Sequence, residues 1–271
     1  MNTRQNLHTH TIYCDGKNTP EEMVLSAIEK GHGSLGFSSH AYVYFSDYAG
    51  ITQQRIDDYV AEVRRLQEKY KDAFPIYLGL EADMYAPVEP GVFQYLIGST
   101  HYLKMEDQFP AFDGSAQSMK AFVDTWFGGD GMAFVEEYFR QLRQLPQLGK
   151  YDILGHFDLV SKHIEGVTLF DYDSDEYVRL GAETAEELAP HIKLFEVNTG
   201  AIARGYRTTP YPSPRLTKVL KDLGYGVVIT SDCHDAQKLD CGYELSRQFL
   251  SSLGFRERFI FDGKDFVPVA L

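Results

Sequence analysis

Two pairs of residues near opposite ends of the chain have the types and spacing of metal ligands. His8 and His10 come directly after the short run 5–7, and Asp232 and His234 follow the apolar run 226–229. Residues i and i+2 of an extended chain point to the same side, about 7 Å apart. Imidazole and carboxylate groups presented in this way bind metal ions. The spacing therefore predicts one metal site to which both ends of the chain contribute.

Further potential ligands stand at or just after the ends of other apolar runs. We interpret nine residues as candidate metal ligands: His8, His10, Asp15, His40, Glu81, His101, His156, Asp232 and His234. Nine donors are too many for one zinc-like ion, which takes about four ligands. They suit two or three ions that share bridging carboxylates. Asp15 precedes a glycine and also fits a turn, so a turn-only role for it stays open.

The remaining histidines and the cysteines are given structural roles. His32, His163 and His191 lie after a helix stop or in loops, and we interpret them as surface or hydrogen-bonded residues. Cys14 and Cys233 are neighbours of candidate ligands, and we expect them to act as small, mostly apolar side chains. The three cysteines are scattered along the chain, which suits a reducing compartment.

The candidate ligands follow apolar runs that alternate with helical stretches. Strands are predicted at residues 5–8, 34–39, 75–80, 94–100, 152–155, 193–197 and 226–229. Helices are predicted at residues 19–30, 52–70, 132–144, 175–189, 213–223 and 243–253, and a short strand within 259–269. Residues 103–130 give no clear pattern. The alternation predicts an α/β fold in which crossovers join parallel strands.

The placement of the ligands favours a barrel over an open sheet. An open doubly wound sheet would collect its ligands at one crevice. Here they follow nearly every strand, as expected where a β/α barrel builds its active site at the C-terminal ends of the strands. We expect a closed or nearly closed barrel of about seven strands, formed by one domain over residues 1–271.

Composition and charge narrow the classes of partner. Hydrophobic residues make up 44% of the chain, which supports a large core. The net charge of −13 disfavours nucleic acid, because such binding depends on Lys and Arg contacts to phosphates. No apolar run approaches the roughly 20 residues that span a bilayer, and residues 1–5 are polar, unlike a signal peptide. We therefore expect a cytoplasmic protein with no membrane partner, and its oligomeric state stays open.

The ligand motifs together resemble the PHP (polymerase and histidinol phosphatase) superfamily of metal-dependent phosphoesterases. They occur in family order and span nearly the whole chain. The resemblance implies a distorted (β/α)7 barrel with a trinuclear centre. It also implies three ligand sets, of which one is His8, His10, Glu81 and Asp232, the second is Glu81, His101 and His156, and the third is Asp15, His40 and His234. Glu81 and a hydroxide would bridge the first two ions, and the metals would be zinc, iron or manganese.

Other segments are similar to the monofunctional histidinol-phosphate phosphatases of this superfamily. They are 155–158, 196–200, Arg204 and 211–213. The resemblance implies hydrolysis of L-histidinol phosphate, a small phosphorylated substrate, to L-histidinol and phosphate in histidine biosynthesis. We expect a hydroxide shared by two ions to attack phosphorus directly, with catalytic roles for Glu81, Asp232 and His234.

Basic and aromatic residues near the strand ends are candidate substrate contacts. A guanidinium group matches phosphate oxygens in two places, so Arg204 and Arg207, together with Lys162, are predicted to hold phosphate. A solvated basic loop is the alternative. Tyr42 begins the aromatic loop 42–48, which we expect to stack on an imidazole and meet an ammonium group. A lid without specific contacts would have the same composition.

Two other functions remain open at this point. One is a phosphoesterase of the same superfamily acting on another small phosphate, a nucleotide or an oligonucleotide 3′ end. The acidic charge balance disfavours the oligonucleotide. The other is a non-catalytic barrel in which metal ions only stabilise a binding surface.

Overall fold

The computed structural model describes residues 2–46, 50–89 and 91–271, and seven parallel strands form its centre. The strands pair side by side in chain order. Their bounds are β1 Gln5–Asn6, β2 Ser34–Phe37, β3 Ile76–Asp83, β4 Tyr95–Ser99, β5 Ile153–Leu154, β6 Leu194–Asn198 and β7 Gly226–Thr230. The predicted sheet of seven parallel strands is confirmed, although β1, β2 and β5 are shorter than expected.

The two edges of this sheet meet, so the strands form a nearly closed barrel. Thr9 and Cys233 pair as parallel neighbours just beyond β1 and β7. The His10 N–H donates to the Cys233 carbonyl oxygen at 2.8 Å, and the Cys233 N–H donates to the His8 carbonyl oxygen at 3.1 Å. We call this Thr9–Cys233 pairing the seam. It lies between the two predicted ligand pairs and brings them together.

Helices connect the strands. Their bounds are α1 Pro20–Glu29, α2 Ile56–Tyr70, α3 Ala116–Phe127, α4 Gly131–Leu142, α5 Leu145–Leu148, α6 Asp175–Leu188, α7 Gly200–Ala203, α8 Pro214–Asp222 and α9 Tyr243–Ser252. Helix α1 begins where its sequence predicts, because Thr19 and Glu22 form a reciprocal capping box ahead of Pro20. Within the described ranges, none of the helices has the length and apolar character needed to cross a bilayer.

Residues 103–130, which lacked a clear pattern, contain helix α3. Ser115 caps its first turn by accepting a hydrogen bond from the Ser118 N–H at 3.1 Å. The helix ends at Gly128, which has a φ of 61° that favours glycine. The glycines that suggested a loop therefore flank the helix rather than interrupt it.

The end of the chain forms an antiparallel hairpin instead of the single short strand predicted within 259–269. Strand β8 (Glu257–Phe261) pairs with β9 (Phe266–Ala270). The Gln5 side chain joins the hairpin to β1, because its Nε2 donates to the Phe261 carbonyl oxygen at 2.8 Å. The ring of Phe261 packs against Tyr77 and Tyr95 at the beginnings of β3 and β4. The hairpin thus covers the amino-terminal end of the barrel.

Apolar side chains fill this amino-terminal end. Eight buried residues form the cluster: Leu7, Tyr77, Tyr95, Ile97, Ile153, Leu194, Val228 and Phe261. The Tyr95 hydroxyl donates to the Leu7 carbonyl oxygen at 2.6 Å, and a Cβ on Gly79 would lie 2.2 Å from the Tyr95 ring. Burying each large apolar side chain contributes about 1.5–3 kcal/mol. This packed layer supports the polar groups at the opposite ends of the strands.

Candidate metal centre

The predicted ligands lie together at the carboxy-terminal ends of the strands, beside a cavity of about 350 Å³. Seven of them line this cavity: Asp15, His40, Glu81, His101, His156, Asp232 and His234. The other two, His8 and His10, are 0% exposed and contact the same carboxylates. Every strand except β6 is followed by, or contains, at least one of the nine. The barrel therefore gathers donors that are more than 200 residues apart in the chain.

Glu81 is the centre of this cluster. It lies in β3 and is 1% exposed. Its Oε2 is 2.8 Å from His40 Nδ1 and 3.2 Å from His8 Nε2. Its Oε1 is 3.0 Å from His156 Nε2 and 3.4 Å from His101 Nε2. Both oxygens of this carboxylate are thus surrounded by imidazole nitrogens, an arrangement that suits a bridging ligand.

Two more carboxylates complete the cluster. Asp232 Oδ1 lies 3.2 Å from His10 Nε2, and Asp15 Oδ1 lies 3.2 Å from His234 Nε2. Donor atoms within 4.8 Å of one another form three groups, namely His10 with Asp15, His40 and His234, then His8 with His10 and Asp232, and then His40 with Glu81 and His101. His10 and His40 each belong to two groups, whereas the resemblance assigned each to a single ion.

The unpaired atoms of the cluster fit divalent metal ions. His8 Nε2, His10 Nε2 and Glu81 Oε2 face one another and are buried without a hydrogen-bond partner. Buried polar atoms are nearly always hydrogen-bonded, so three such atoms in one cluster suit a shared cation. The donor set, imidazole nitrogens and carboxylate oxygens, is the one that zinc, iron and manganese accept.

Mutual contacts shift the pKa values of the cluster. Burial raises the pKa of Glu81, but His8 and His40 lower it well below its usual value. For Asp232, burial is likewise outweighed by Arg204 and His8, which lower the pKa. Burial and the nearby His234 and His40 lower the pKa of His10 to about 3. Ionised carboxylates beside a neutral His10 are the protonation states that ligate metals.

Glu196, on β6, contacts one of the candidate ligands and was not singled out from the sequence as a functional residue. Its Oε2 lies 2.8 Å from His8 Nδ1 and accepts a hydrogen bond from the Thr230 hydroxyl at 2.7 Å. Its Oε1 accepts from the His156 N–H at 2.7 Å and from Asn198 Nδ2 at 2.8 Å. With the proton on His8 Nδ1, the lone pair of Nε2 faces the cluster and is available to a metal ion. Carboxylates orient metal-bound histidines in this way.

Asp83 plays the same part for the ligand after β4. Its Oδ2 accepts a hydrogen bond from the His101 N–H at 2.8 Å and lies 3.5 Å from His101 Nδ1. Its Oδ1 accepts from the Tyr85 N–H at 3.1 Å. The signal available in the sequence was an acidic residue two positions after Glu81, on the same side of β3.

Arg204 contacts a candidate ligand and lines the cavity. Its Nη2 donates to Asp232 Oδ2 at 2.8 Å, and its Nη1 lies 3.1 Å from His234 Nδ1. Asp232 has a φ of 44°, which is unusual for a residue with a side chain. A Cβ on Gly200 would lie 2.6 Å from Asp232 Oδ2 and 2.7 Å from Arg204 Nη2. Glycine at position 200 therefore leaves room for this ion pair.

The two other basic residues that were predicted to contact substrate lie in different surroundings. Lys162 lines the cavity, where its Nζ donates to Asp113 Oδ2 at 2.8 Å. Arg207 is not among the described residues that line the cavity. It is 3% exposed, donates to the Ser161 hydroxyl and carbonyl oxygens, and packs over the Tyr211 ring. The loop after β6 turns this guanidinium into the protein interior.

The aromatic loop is described only in part. Tyr42 is half-buried and is not among the described residues that line the cavity, although Ala41 and Val43 are. Phe45 stacks on Phe109 with the ring centroids 4.3 Å apart. Positions 47 and 48 of the predicted loop lie outside the described residues.

Two of the three remaining histidines have the roles expected of them. His191 is exposed, and His163 Nε2 donates to the Gly114 carbonyl oxygen at 3.0 Å. The expectation for His32 is wrong, because this side chain is 5% exposed and neither ring nitrogen has a hydrogen-bond partner. Gly31, with a φ of 69°, turns the chain inward after α1 and buries the next residue.

The two cysteines beside the ligands differ in burial. Cys233 is 2% exposed, and its Sγ donates to the Asp235 carbonyl oxygen at 3.0 Å. Burial raises the pKa of Cys233 to about 12. Cys14 is half-buried, with its Sγ 3.5 Å from His10 Nδ1. The small-side-chain role expected for Cys233 fits this environment.

Comparison with known proteins confirms the predicted family and fold class. The model of the PHP domain matches residues 6–200, and the chain belongs to this family. A "Histidinol-phosphatase" of Bacillus subtilis is 26% identical over 88% of this chain and 96% of its own length. A "Probable histidinol-phosphatase" of Schizosaccharomyces pombe is 24% identical over 91% and 86% of the two chains. A solved structure of similar fold is the crystal structure of a Lactococcus lactis histidinol phosphate phosphatase complexed with zinc, L-histidinol and phosphate. The two chains superpose with a TM-score of 0.69 at 21% identity, and the match covers 98% of this chain and 100% of that one.

Proposed function

We propose that this protein is a metal-dependent phosphomonoesterase that hydrolyses L-histidinol phosphate to L-histidinol and phosphate. The observation that carries the proposal is the position of Glu81, enclosed by imidazoles at the base of a cavity that Arg204 and Lys162 also line. The names of the relatives point to the same substrate. Such an enzyme serves histidine synthesis, and we place it in the cytoplasm.

The proposed centre holds two or three divalent ions. The first ligand set is His8, His10, Glu81 and Asp232, the second is Glu81, His101 and His156, and the third is Asp15, His40 and His234. Zinc, iron or manganese ions in such sites acidify bound water and offset the charge of a phosphoryl group. Glu81 and Asp232 would supply negative charge to ions held in this cluster. Glu196 and Asp83 hold His8 and His101 in their ligating orientations.

Two cations of the cavity wall are proposed to bind the phosphoryl group. Arg204 keeps Asp232 in place with one edge of its guanidinium, and its Nε is without a hydrogen-bond partner. Lys162 reaches the same cavity beside Asp113. A phosphate that enters the cavity would therefore meet two positive side chains, which favours an oriented ester.

Asp113 is proposed to bind the positive end of the substrate. Burial raises the pKa of this carboxyl, but Lys162 and His101 lower it below its usual value, so it is ionised. L-Histidinol phosphate carries an ammonium group as well as a phosphate. When the phosphate takes over the contact with Lys162, Asp113 is freed to accept hydrogen bonds from that ammonium group.

Substrate comparison tests the proposal. Protein loaded with zinc, manganese or iron is assayed on L-histidinol phosphate, an aryl phosphate, a nucleoside monophosphate and a short single-stranded DNA. We expect kcat/KM to be about 100-fold higher for L-histidinol phosphate than for the aryl phosphate, because only L-histidinol phosphate has an ammonium group that can contact Asp113. Equal rates on all small phosphates, or a preference for DNA, would contradict the proposed substrate.

A metal-binding control accompanies this assay. Glu81→Gln is expected to reduce bound metal and turnover together, because the bridging charge is lost. Glu29→Gln makes the same chemical change at an exposed position of α1 and is expected to match the unaltered protein. Circular dichroism checks that both variants remain folded.

A further inference from the structure

A second cavity of about 350 Å³ lies at the amino-terminal end of the barrel. Its walls are the segment just before β1, the first turn of α9, and residues of β8 and β9. The side chains that matter here are Arg4, Arg247, Arg258 and Tyr243. None of the residues lining it also lines the metal-centre cavity. We call it the arginine cavity.

Arg258 is a buried cation without an acidic partner. It is 4% exposed, and its Nη2 donates to the Thr3 carbonyl oxygen at 2.8 Å and to the Thr3 hydroxyl at 3.1 Å. Its Nε is buried without a hydrogen-bond partner, and no carboxylate of the described residues forms an ion pair with it. Buried arginines are ordinarily paired with an anion. The charge of the Arg258 guanidinium is thus not balanced by an ion pair with any described carboxylate, and one of its N–H groups has no hydrogen-bond partner.

Arg4, which is partly exposed, also has an unpartnered N–H and lies near the same aromatic ring as Arg258. Its Nε is also buried without a hydrogen-bond partner, and its ion pair with Asp240 is long, at 3.5 Å. The guanidinium carbons of Arg4 and Arg258 lie 4.7 Å and 5.7 Å from the centroid of the Tyr243 ring. Both guanidinium groups therefore lie near one aromatic ring, and all three residues line the arginine cavity.

Further positive charge surrounds the same space. Arg247 pairs with Glu244 at 3.2 Å and donates to the Leu271 main-chain oxygen at 2.8 Å. Burial, together with the proximity of Arg247, lowers the pKa of Arg258. Helix α9 begins at Tyr243, and its N-cap Gly242 has no side chain to satisfy the first N–H groups. Three arginines and one acidic residue, Glu244, line this cavity in a chain of net charge −13.

We propose that the arginine cavity binds a small molecule through an oxyanion, either a phosphate or a carboxylate group. The guanidinium forks of Arg4 and Arg258 would take its oxygens, as is usual for these groups. The cavity volume is that of small-molecule sites. A molecule bound in this cavity would contact the segment before β1, helix α9 and the hairpin, at the end of the barrel opposite the metal centre.

Direct binding to the metal-loaded protein tests this. Equilibrium dialysis with radiolabelled inorganic phosphate is expected to give two classes of site, one at the metal centre and one in the arginine cavity. Arg258→Gln and Arg4→Gln should each weaken one class about tenfold. The partly exposed Arg4 provides the test if the change at buried Arg258 prevents folding. Labelled succinate in a parallel arm decides between phosphate and carboxylate as the preferred group.

Arg256→Gln is the matched control, because Arg256 is exposed two positions before Arg258 and loses the same charge. Crystals soaked in tungstate should show anomalous density beside Arg258 Nε as well as at the metal centre. Phosphate and succinate titrations of Arg4→Gln that are identical to those of Arg256→Gln would overturn the proposal, whether or not the metal centre also binds phosphate. Because binding is counted rather than turnover, the result is independent of the proposed hydrolysis.

Discussion

Glu196 Oε2 and His8 Nδ1 lie 2.8 Å apart, although 188 residues separate them in the chain. Both side chains are 0% exposed. The contact joins β6, the strand without a candidate ligand of its own, to the first candidate ligand after β1. The position of His8 is therefore set by a carboxylate that has no exposure to solvent or substrate.

The first prediction concerns this carboxylate. Glu196→Gln removes the charge that holds the proton on His8 Nδ1, so metal affinity should fall about 10–100-fold, with a parallel loss of kcat. Competition with a chelating dye measures the affinity. Glu186→Gln, on the exposed face of α6, is the control and should match the unaltered protein. An unchanged affinity in Glu196→Gln would mean that His8 is positioned by other contacts.

The second prediction concerns Lys162 and Arg207, which were both predicted from the sequence to hold phosphate. Lys162→Met should raise KM about tenfold with little effect on thermal stability, because Lys162 lines the cavity. Arg207→Met should lower stability by about 3 kcal/mol, because it removes a buried charge near Asp158. The residual folded Arg207→Met protein should keep its KM. Steady-state kinetics and urea unfolding of both variants measure these effects. A raised KM in Arg207→Met, together with a loss of stability in Lys162→Met, would refute the prediction.

Substrate charge provides the third prediction. Asp113→Asn should raise KM for L-histidinol phosphate about tenfold, because the ammonium group loses its carboxylate. It should leave KM for an aryl phosphate unchanged or lower, because Lys162 is then freed from its ion pair. Equal effects on the two substrates would exclude a specific contact with the ammonium group. Asp107→Asn, at an exposed position, is the matched control.

The fourth prediction follows from the burial of His32. Burial, with a smaller contribution from Arg4, lowers its pKa from 6.5 to about 4. Between these values the unfolded chain binds more protons than the folded one, so stability falls as the pH decreases. We expect this residue to account for about 2 kcal/mol of the loss between pH 7 and pH 5.

Urea unfolding of His32→Gln at both pH values measures this contribution. The loss of stability on acidification should be smaller in His32→Gln than in the unaltered protein. His191→Gln, which removes an exposed imidazole, should leave the pH dependence as it was. Equal pH dependence in all three proteins would show that His32 is protonated in the folded state near its ordinary pKa.

The sequence was sufficient to predict the barrel and the clustering of the candidate ligands. The ends of the apolar runs can be located in the sequence, and the C-terminal ends of parallel strands lie on the same side of a barrel. It was insufficient for Glu196, since a carboxylate within an apolar strand does not reveal which side chain it meets. Arg204 and Arg207 follow the same strand, and only the path of the loop sends one to the cavity and the other inward. His32 was misjudged because a single glycine at 31 determines whether the next residue is buried.

The seam between Thr9 and Cys233 also constrains how the protein matures. His10 and Asp232 flank this pairing, so their nitrogen and oxygen atoms come within 3.2 Å only after residues near 234 have joined the sheet. A nascent chain in which residues near 234 are not yet synthesised, or are still inside a ribosome exit tunnel, has only part of the set of candidate ligands. The complete set of donors therefore forms only after these residues have emerged and paired with β1.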